Sequence, residues 1–96
     1  MNIATKDIRF IKIGYGNLVQ ENRIIVMLGP DAAPIKRMVQ EAKELGALID
    51  ATAGHKTQTV LIMDTDHIVL SAWTIEKIRQ EQDKTIEETK VAAERK

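Results

Sequence analysis

The sequence predicts a small α+β domain. An antiparallel-rich sheet carries one amphipathic helix, a C-terminal helix follows, and the whole assembles as a homo-oligomer. Three observations carry this reading. The 96 residues leave room for a single core. Short β-branched runs alternate with Gly, Asn and Asp turns along the chain. One stretch alone has apolar residues at clean helical spacing against a fully polar opposite face. One domain is expected over residues 1–83, with 84–96 as a solvated or frayed tail.

Residues 8–13 (IRFIKI) read as a strand, and Gly14-Tyr15-Gly16-Asn17 as a turn, since glycine and Asn tolerate positive φ. Tyr15, set between glycines, is expected either to be exposed or to plug a subunit contact. Leu18 and Val19 continue briefly before a second turn at Gln20-Glu21-Asn22. Arg23 opens the strand Ile24-Ile25-Val26-Met27-Leu28, which Gly29-Pro30 ends. Asp31 reads as a helix N-cap, and Pro34 lies in the first turn, where a missing N–H is harmless. Ile35, Met38, Val39, Ala42 and Leu45 then share one helical face, and Gly46 closes the helix. Residues 47–52 form a short strand and 53–56 a loop. Strands over 57–63 and 67–72 pair as a hairpin across Asp64-Thr65-Asp66. Thr74 caps a polar helix whose apolar positions, Ile75, Ile78, Ile86 and Val91, are too sparse for a coiled-coil seam.

The runs 24–28, 60–63 and 68–70 are apolar at consecutive positions, the pattern of strands buried on both faces. One amphipathic helix covers one face of the sheet. The second face calls for the C-terminal helix, through Ile75 and Ile78, or for another copy of the chain. This is the basis of the expected homo-oligomer.

Composition removes several function classes. Cysteine is absent, so disulfides, thiolate metal sites and a cysteine nucleophile are excluded. Lysine plus arginine and aspartate plus glutamate number 14 each, which argues against a general polycation but not against a local basic patch. No apolar run approaches the roughly 20 residues of a membrane span, and the N-terminus does not resemble a signal peptide, so a cytoplasmic address is expected.

Few motifs carry chemistry. Asp64, Asp66 and His67 are a compact acid–acid–imidazole group that would suit a divalent cation, but Asp-Thr-Asp is also what a tight hairpin turn wants. Gly14-Tyr15-Gly16-Asn17 lacks the third glycine, the Lys-Ser/Thr pair and the following helix of a phosphate loop. Ser71 lies inside a strand without a nucleophile elbow. The loop Gly54-His55-Lys56-Thr57-Gln58 presents an imidazole, an ammonium, a hydroxyl and an amide in a row beside a flexible glycine. These groups suit phosphate oxygens and base edges. Arg23 stands at the mouth of a strand and could join the same surface. One such loop makes few phosphate contacts; repeated around an oligomer, it makes many.

The stretches IGYGNLVQENRIIVML, APIKRMVQEAKELGALIDATAGHKT and VLIMDTDHIVLSA resemble the RemA family of small bacterial extracellular matrix regulatory proteins. The resemblance runs over about residues 8–72. It includes the Gly-aromatic-Gly-Asn turn, Asn22-Arg23, the Ala-Pro-Ile-Lys-Arg-Met helix start at residues 33–38, Asp50-Ala51-Thr52, and Met63-Asp64 with Asp66-His67. It implies a RemA-like domain and a transcriptional regulator rather than an enzyme. Implied with it are a ring-like homo-oligomer bending or wrapping double-stranded DNA over repeated basic loops, a nucleoid-associated cytoplasmic location, a role in biofilm matrix genes, no membrane partner and no cofactor. The DNA-contacting residues it implies are Arg23, His55, Lys56 and Thr57. The family's loop usually reads Gly-Arg-Arg-Thr, whereas this chain reads Gly54-His55-Lys56-Thr57. Histidine is mostly neutral at pH 7 and lysine lacks the bidentate fork of arginine, so phosphate attraction passes to Lys56. The alternative reading is an oligomeric scaffold or protein-interaction module with weak or no DNA binding.

Overall fold

Glycine, Asn and Asp turns divide the chain into six strands and two helices in a computed structural model that describes residues 8–82. The expected tail, 84–96, lies outside the described residues. Strands β1 (Phe10–Gly14) and β2 (Asn17–Gln20) form an antiparallel hairpin, and a 3-10 turn (Glu21–Arg23) leads into β3 (Ile24–Leu28). Helix α1 (Ala33–Glu44) connects β3 to β4 (Leu48–Asp50); β5 (Thr59–Met63) and β6 (Ile68–Ser71) follow, and α2 starts at Ile75. β3, β5, β6 and β4 make one four-stranded sheet in that order. The β4–β6 pair is parallel and the other two are antiparallel. The architecture is α+β, as expected.

Local chemistry explains the turns. Tyr15 and Gly16 both have positive φ (56° and 80°), the requirement of the two-residue hairpin turn that matches strand twist. In the β5–β6 hairpin, Asp66 N–H donates to the Met63 carbonyl and Asp66 itself is left-handed at φ 69°. This is the expected tight Asp-rich turn. Gly46, at φ 74°, closes α1 as expected. The start of α1 differs from expectation: Ala32, not Asp31, is the N-cap, no side chain caps the helix, and Pro34 falls in the first turn. Leu45 also departs from the predicted apolar face. It follows the last helical residue, turns away from the sheet and is 82% exposed.

Two cores flank the sheet. On one side Val60, Ile68 and Leu70 pack with Ala42, Ile35, Met38 and Val39 of α1. On the other, Leu61, Val69 and Ala51 pack with Ile11, Ile13 and Val19 of the hairpin and with Ile78 of α2. The second face is therefore covered within the chain, mainly by a hairpin that the strand pattern alone does not assign to it. Two-faced burial does not by itself call for a second copy. β5 and β6 are buried as expected. β3 is a correction: it is a terminal strand, and Ile25 (65%) and Val26 (36%) are exposed.

One hydroxyl ties the hairpin to the sheet, and a second ties down the segment that follows β6. The β1–β2 register shifts between Lys12 and Gly14, leaving Ile13 without a cross-strand partner in the pairing. The buried Ser71 Oγ donates to that Ile13 carbonyl at 2.7 Å and accepts the Trp73 N–H at 3.0 Å. Thr59 Oγ1 donates to the Trp73 carbonyl at 2.7 Å. Trp73 lies so close to Gly14 that a β-carbon there would stand 2.9 Å from Nε1 of the indole. Thr74 caps α2, its Oγ1 accepting the Lys77 N–H, and Lys77 Nζ sits 5.0 Å above the Trp73 ring centroid.

Candidate nucleic-acid interface

The loop between β4 and β5 leaves the sheet at the end where β6 finishes and the hairpin turns. Its first residues are fixed by Asp50, whose Oδ1 accepts the Thr52 hydroxyl at 2.6 Å and the Thr52 N–H at 3.0 Å. Both bonds favour the carboxylate, the side-chain one most, and hold the Asp50 carboxyl below its ordinary value. Ala53 (φ 52°) and Gly54 (φ 83°) then reverse the chain, and the His55 N–H closes the turn on the Thr52 carbonyl at 2.9 Å. Gln58 N–H donates to the Ser71 carbonyl, anchoring the far side. Between these anchors His55 and Lys56 are exposed and Thr57 is half-buried. No ion pair engages Lys56 among the described residues. The loop presents a short cationic tip between anchors on both sides.

The hairpin tip joins it. Asn17 Nδ2 donates to the Gly14 carbonyl at 3.0 Å and to the Ala51 carbonyl at 3.2 Å, tying the turn to the loop's base. The Tyr15 ring, exposed rather than buried, stacks on His55 with centroids 4.6 Å apart and planes 10° from parallel.

Arg23 does not join this surface. It precedes Ile24, which pairs with Met63 at the far end of β5, whereas the loop enters β5 at Thr59. Four residue steps along β5 separate the two ends, about 14 Å of strand. Arg23 Nη1 instead lies 3.4 Å from Asp64 Oδ1, while the Asp64 N–H donates to the Arg23 carbonyl at 2.8 Å. The predicted residues therefore form two groups: His55, Lys56 and Thr57 at one end of the sheet, and Arg23 with an acidic neighbour at the other.

Asp64, Asp66 and His67 act as turn residues here. Asp64 is engaged by Arg23, and His67 Nδ1 pairs with Thr65 Oγ1 at 2.8 Å. No cluster of three or more His, Asp or Glu side chains among the described residues is arranged to hold a metal ion. Ser71 is buried and structural. No helix among the described residues is long and apolar enough to cross a membrane.

Sequence reasoning missed three interactions: the Tyr15–His55 stack, the Asn17 bridge and the Arg23–Asp64 pair. Each joins residues between 34 and 41 positions apart. The one local signal was Tyr15 itself, an aromatic at a turn position that Asn or Gly suits better.

The family model described as extracellular matrix regulatory protein A-like, RemA-like, matches residues 10–81. A protein of Geobacillus sp. (strain WCH70), named "Putative regulatory protein", is 57% identical over 65 residues, covering 68% of this chain and 75% of the relative. Relatives with the same description come from Carboxydothermus hydrogenoformans and Bacillus pumilus (strain SAFR-032). The first is 56% identical over 66 residues, covering 69% of this chain and 76% of the relative. The second is 51% identical over 73 residues, covering 76% and 82%.

Proposed function

The chain belongs to the RemA-like family of extracellular matrix regulatory proteins, and from that premise we propose that it is a transcriptional regulator binding double-stranded DNA as a homo-oligomer. The observation that carries this is the Gly54–Thr57 tip. There Lys56, an ammonium outside every ion pair among the described residues, is held out from the sheet end on a loop fixed by Asp50, Asn17 and Gln58. A cation presented this way approaches phosphate without ordering a flexible segment first. His55 and Thr57 add donors beside it, and Arg23 forms a second contact from the opposite end of the sheet.

A single tip gives weak binding, so the reading needs several copies. Support for self-association comes from the sheet's two terminal strands, β3 and β4, each an edge with exposed apolar side chains: Ile25 and Val26 on one, Ile49 (50%) on the other. Leu18 and Ile49 also flank a groove of about 260 Å³ floored by Ala51, Met63 and Val69. Two different edges meeting head to tail close into a ring when the rotation between successive copies completes a circle. A ring repeats the loop at regular intervals, the arrangement that would wrap DNA and regulate matrix genes in the cytoplasm, on the nucleoid.

Gel shift of long duplex DNA across a salt titration, with light scattering on the same sample, tests the reading. The expected mass is several times 10.8 kDa. Lys56→Ala should weaken binding to all sequences alike and flatten the slope of log affinity against log salt by about 0.9 for each phosphate no longer neutralised. An oligomer that shifts no DNA at about 50 mM salt, where phosphate attraction is far stronger than at physiological salt, leaves the scaffold reading in its place.

A further inference from the structure

The geometry points to a second kind of DNA contact at the loop end of the sheet: the exposed Tyr15–His55 stack is a platform for an unstacked nucleobase. The inference rests on the DNA-binding reading above and adds a ligand chemistry that phosphate attraction does not supply.

Tyr15 is the unusual choice here. The two-residue turn it opens needs positive φ at both central residues, and Asn, Asp or Gly fill that first position at least strain. This chain places a tyrosine there at φ 56°, between Gly14 and Gly16 that are themselves left-handed at 108° and 80°. A side chain held in a disfavoured backbone conformation at an exposed tip points to a role for that side chain. Core packing is not the role, because Tyr15 is 53% exposed. Its partner is His55, stacked at 4.6 Å and within 10° of parallel, and Asn17 fixes the two supporting loops against each other. One ring face meets the imidazole, and the exposure leaves area for a further planar group to add to the stack.

The surroundings favour a base. Lys56 follows His55 directly and is exposed, so its ammonium is available to the phosphate of a nucleotide stacked on Tyr15. Thr57 and Gln58 offer a hydroxyl and an amide to base edges. The carboxylate at the base of the loop, Asp50 at the end of β4, is occupied by the two Thr52 donors. An aromatic platform with a cation at its rim is the recurring means of holding unpaired bases without reading sequence.

The test uses fluorescence anisotropy with two short duplexes of one sequence, one intact and one carrying a single bulged 2-aminopurine. The full-length protein should prefer the bulged duplex roughly five- to a hundredfold, the range spanned by base–aromatic stacking, and should quench the 2-aminopurine. Tyr15→Asn keeps a residue suited to the turn and removes the ring. It should abolish both preference and quenching while intact-duplex affinity stays within about twofold. Tyr15→Phe should retain both. Equal binding of the two duplexes by the wild type overturns the inference and leaves the regulator reading standing. So does a Tyr15→Asn variant that loses mass or weakens on both duplexes alike, which marks Tyr15 as a subunit or loop-positioning residue. Absence of any DNA binding overturns both readings.

Discussion

Ser71→Ala tests whether the hairpin that carries Tyr15 is held by the bonds described. Ser71 is the chain's one serine and is fully buried. Its Oγ serves two backbone groups, the Ile13 carbonyl that the β-bulge leaves out of the ladder and the Trp73 N–H. Alanine removes both bonds with almost no change of shape, so the cost is that of two buried polar groups left unsatisfied. At about 1–3 kcal/mol each, the loss is about 2–6 kcal/mol. A domain of this length is stable by roughly 5–14 kcal/mol, so the variant stays folded unless the loss lies at the top of its range and the stability at the bottom of its own. With a urea slope of about 1.5 kcal/mol/M, the midpoint should fall by roughly 1.3 to 4 M, followed by Trp73 emission at fixed protein concentration. A fall under about 0.5 M at unchanged slope would refute this anchoring, because it would mean that water replaces the hydroxyl and the bulge is not held there.

Two further predictions concern the site. Asp64→Asn removes the carboxylate facing Arg23 at 3.4 Å. DNA affinity should rise severalfold at low salt, with a steeper salt slope, while Arg23→Ala does the reverse; identical binding by both variants would show that Arg23 does not touch DNA. Stability should move by no more than about 0.5 kcal/mol in either, since both partners are half exposed. Asp50 gives a pH signature. Its folded-state carboxyl titrates below the ordinary 3.8 because Thr52 donates to the charged form. The unfolded chain therefore binds the proton first, and stability rises with pH through that interval. The contribution is complete above the unfolded value and is lost as pH falls below it. Asp50→Asn should be less stable than wild type at neutral pH, and the gap should close on acidification; a gap independent of pH would sink this assignment.

What is legible in the sequence is what short-range chemistry decides. The hairpin turn at Tyr15-Gly16, the Asp64–Asp66 turn, α1 with its Gly46 stop and the Thr74 cap all follow from residues within a few positions of one another, and the structure has each of them. Asp31 fails as the N-cap because a cap depends on where the first helical bond forms, and that bond starts from the Ala32 carbonyl. Ile25 and Val26 read as buried because a β-branched run does not reveal whether its strand is central or terminal; sheet order decides that, and it is set by distant pairings. The covering of the second face is illegible for the same reason. Ile11, Ile13 and Val19 alternate as a one-sided hairpin, but only the Ser71 and Asn17 bonds, 58 and 34 residues apart, say which sheet they cover.

The same topology reshapes the candidate site. Arg23 and Lys56 look like members of one surface because each follows a polar turn and precedes an apolar strand. Those strands are β3 and β5, and they pair antiparallel. Two strands that enter an antiparallel pair must enter it from opposite ends, so residues just before them are separated by the strand's full length, about 14 Å here. Arg23 and Lys56 of one protomer therefore sit too far apart to close on one phosphate. Under the proposed function, either the two cations meet different stretches of the DNA backbone, or a repeating assembly sets the Arg23 end of one copy beside the Lys56 end of the next. Double-mutant cycles separate the cases. In the first, Arg23→Ala and Lys56→Ala are additive in DNA affinity to within about 0.5 kcal/mol; in the second they couple beyond that, and mixed oligomers in which each copy carries only one of the two substitutions recover part of the loss.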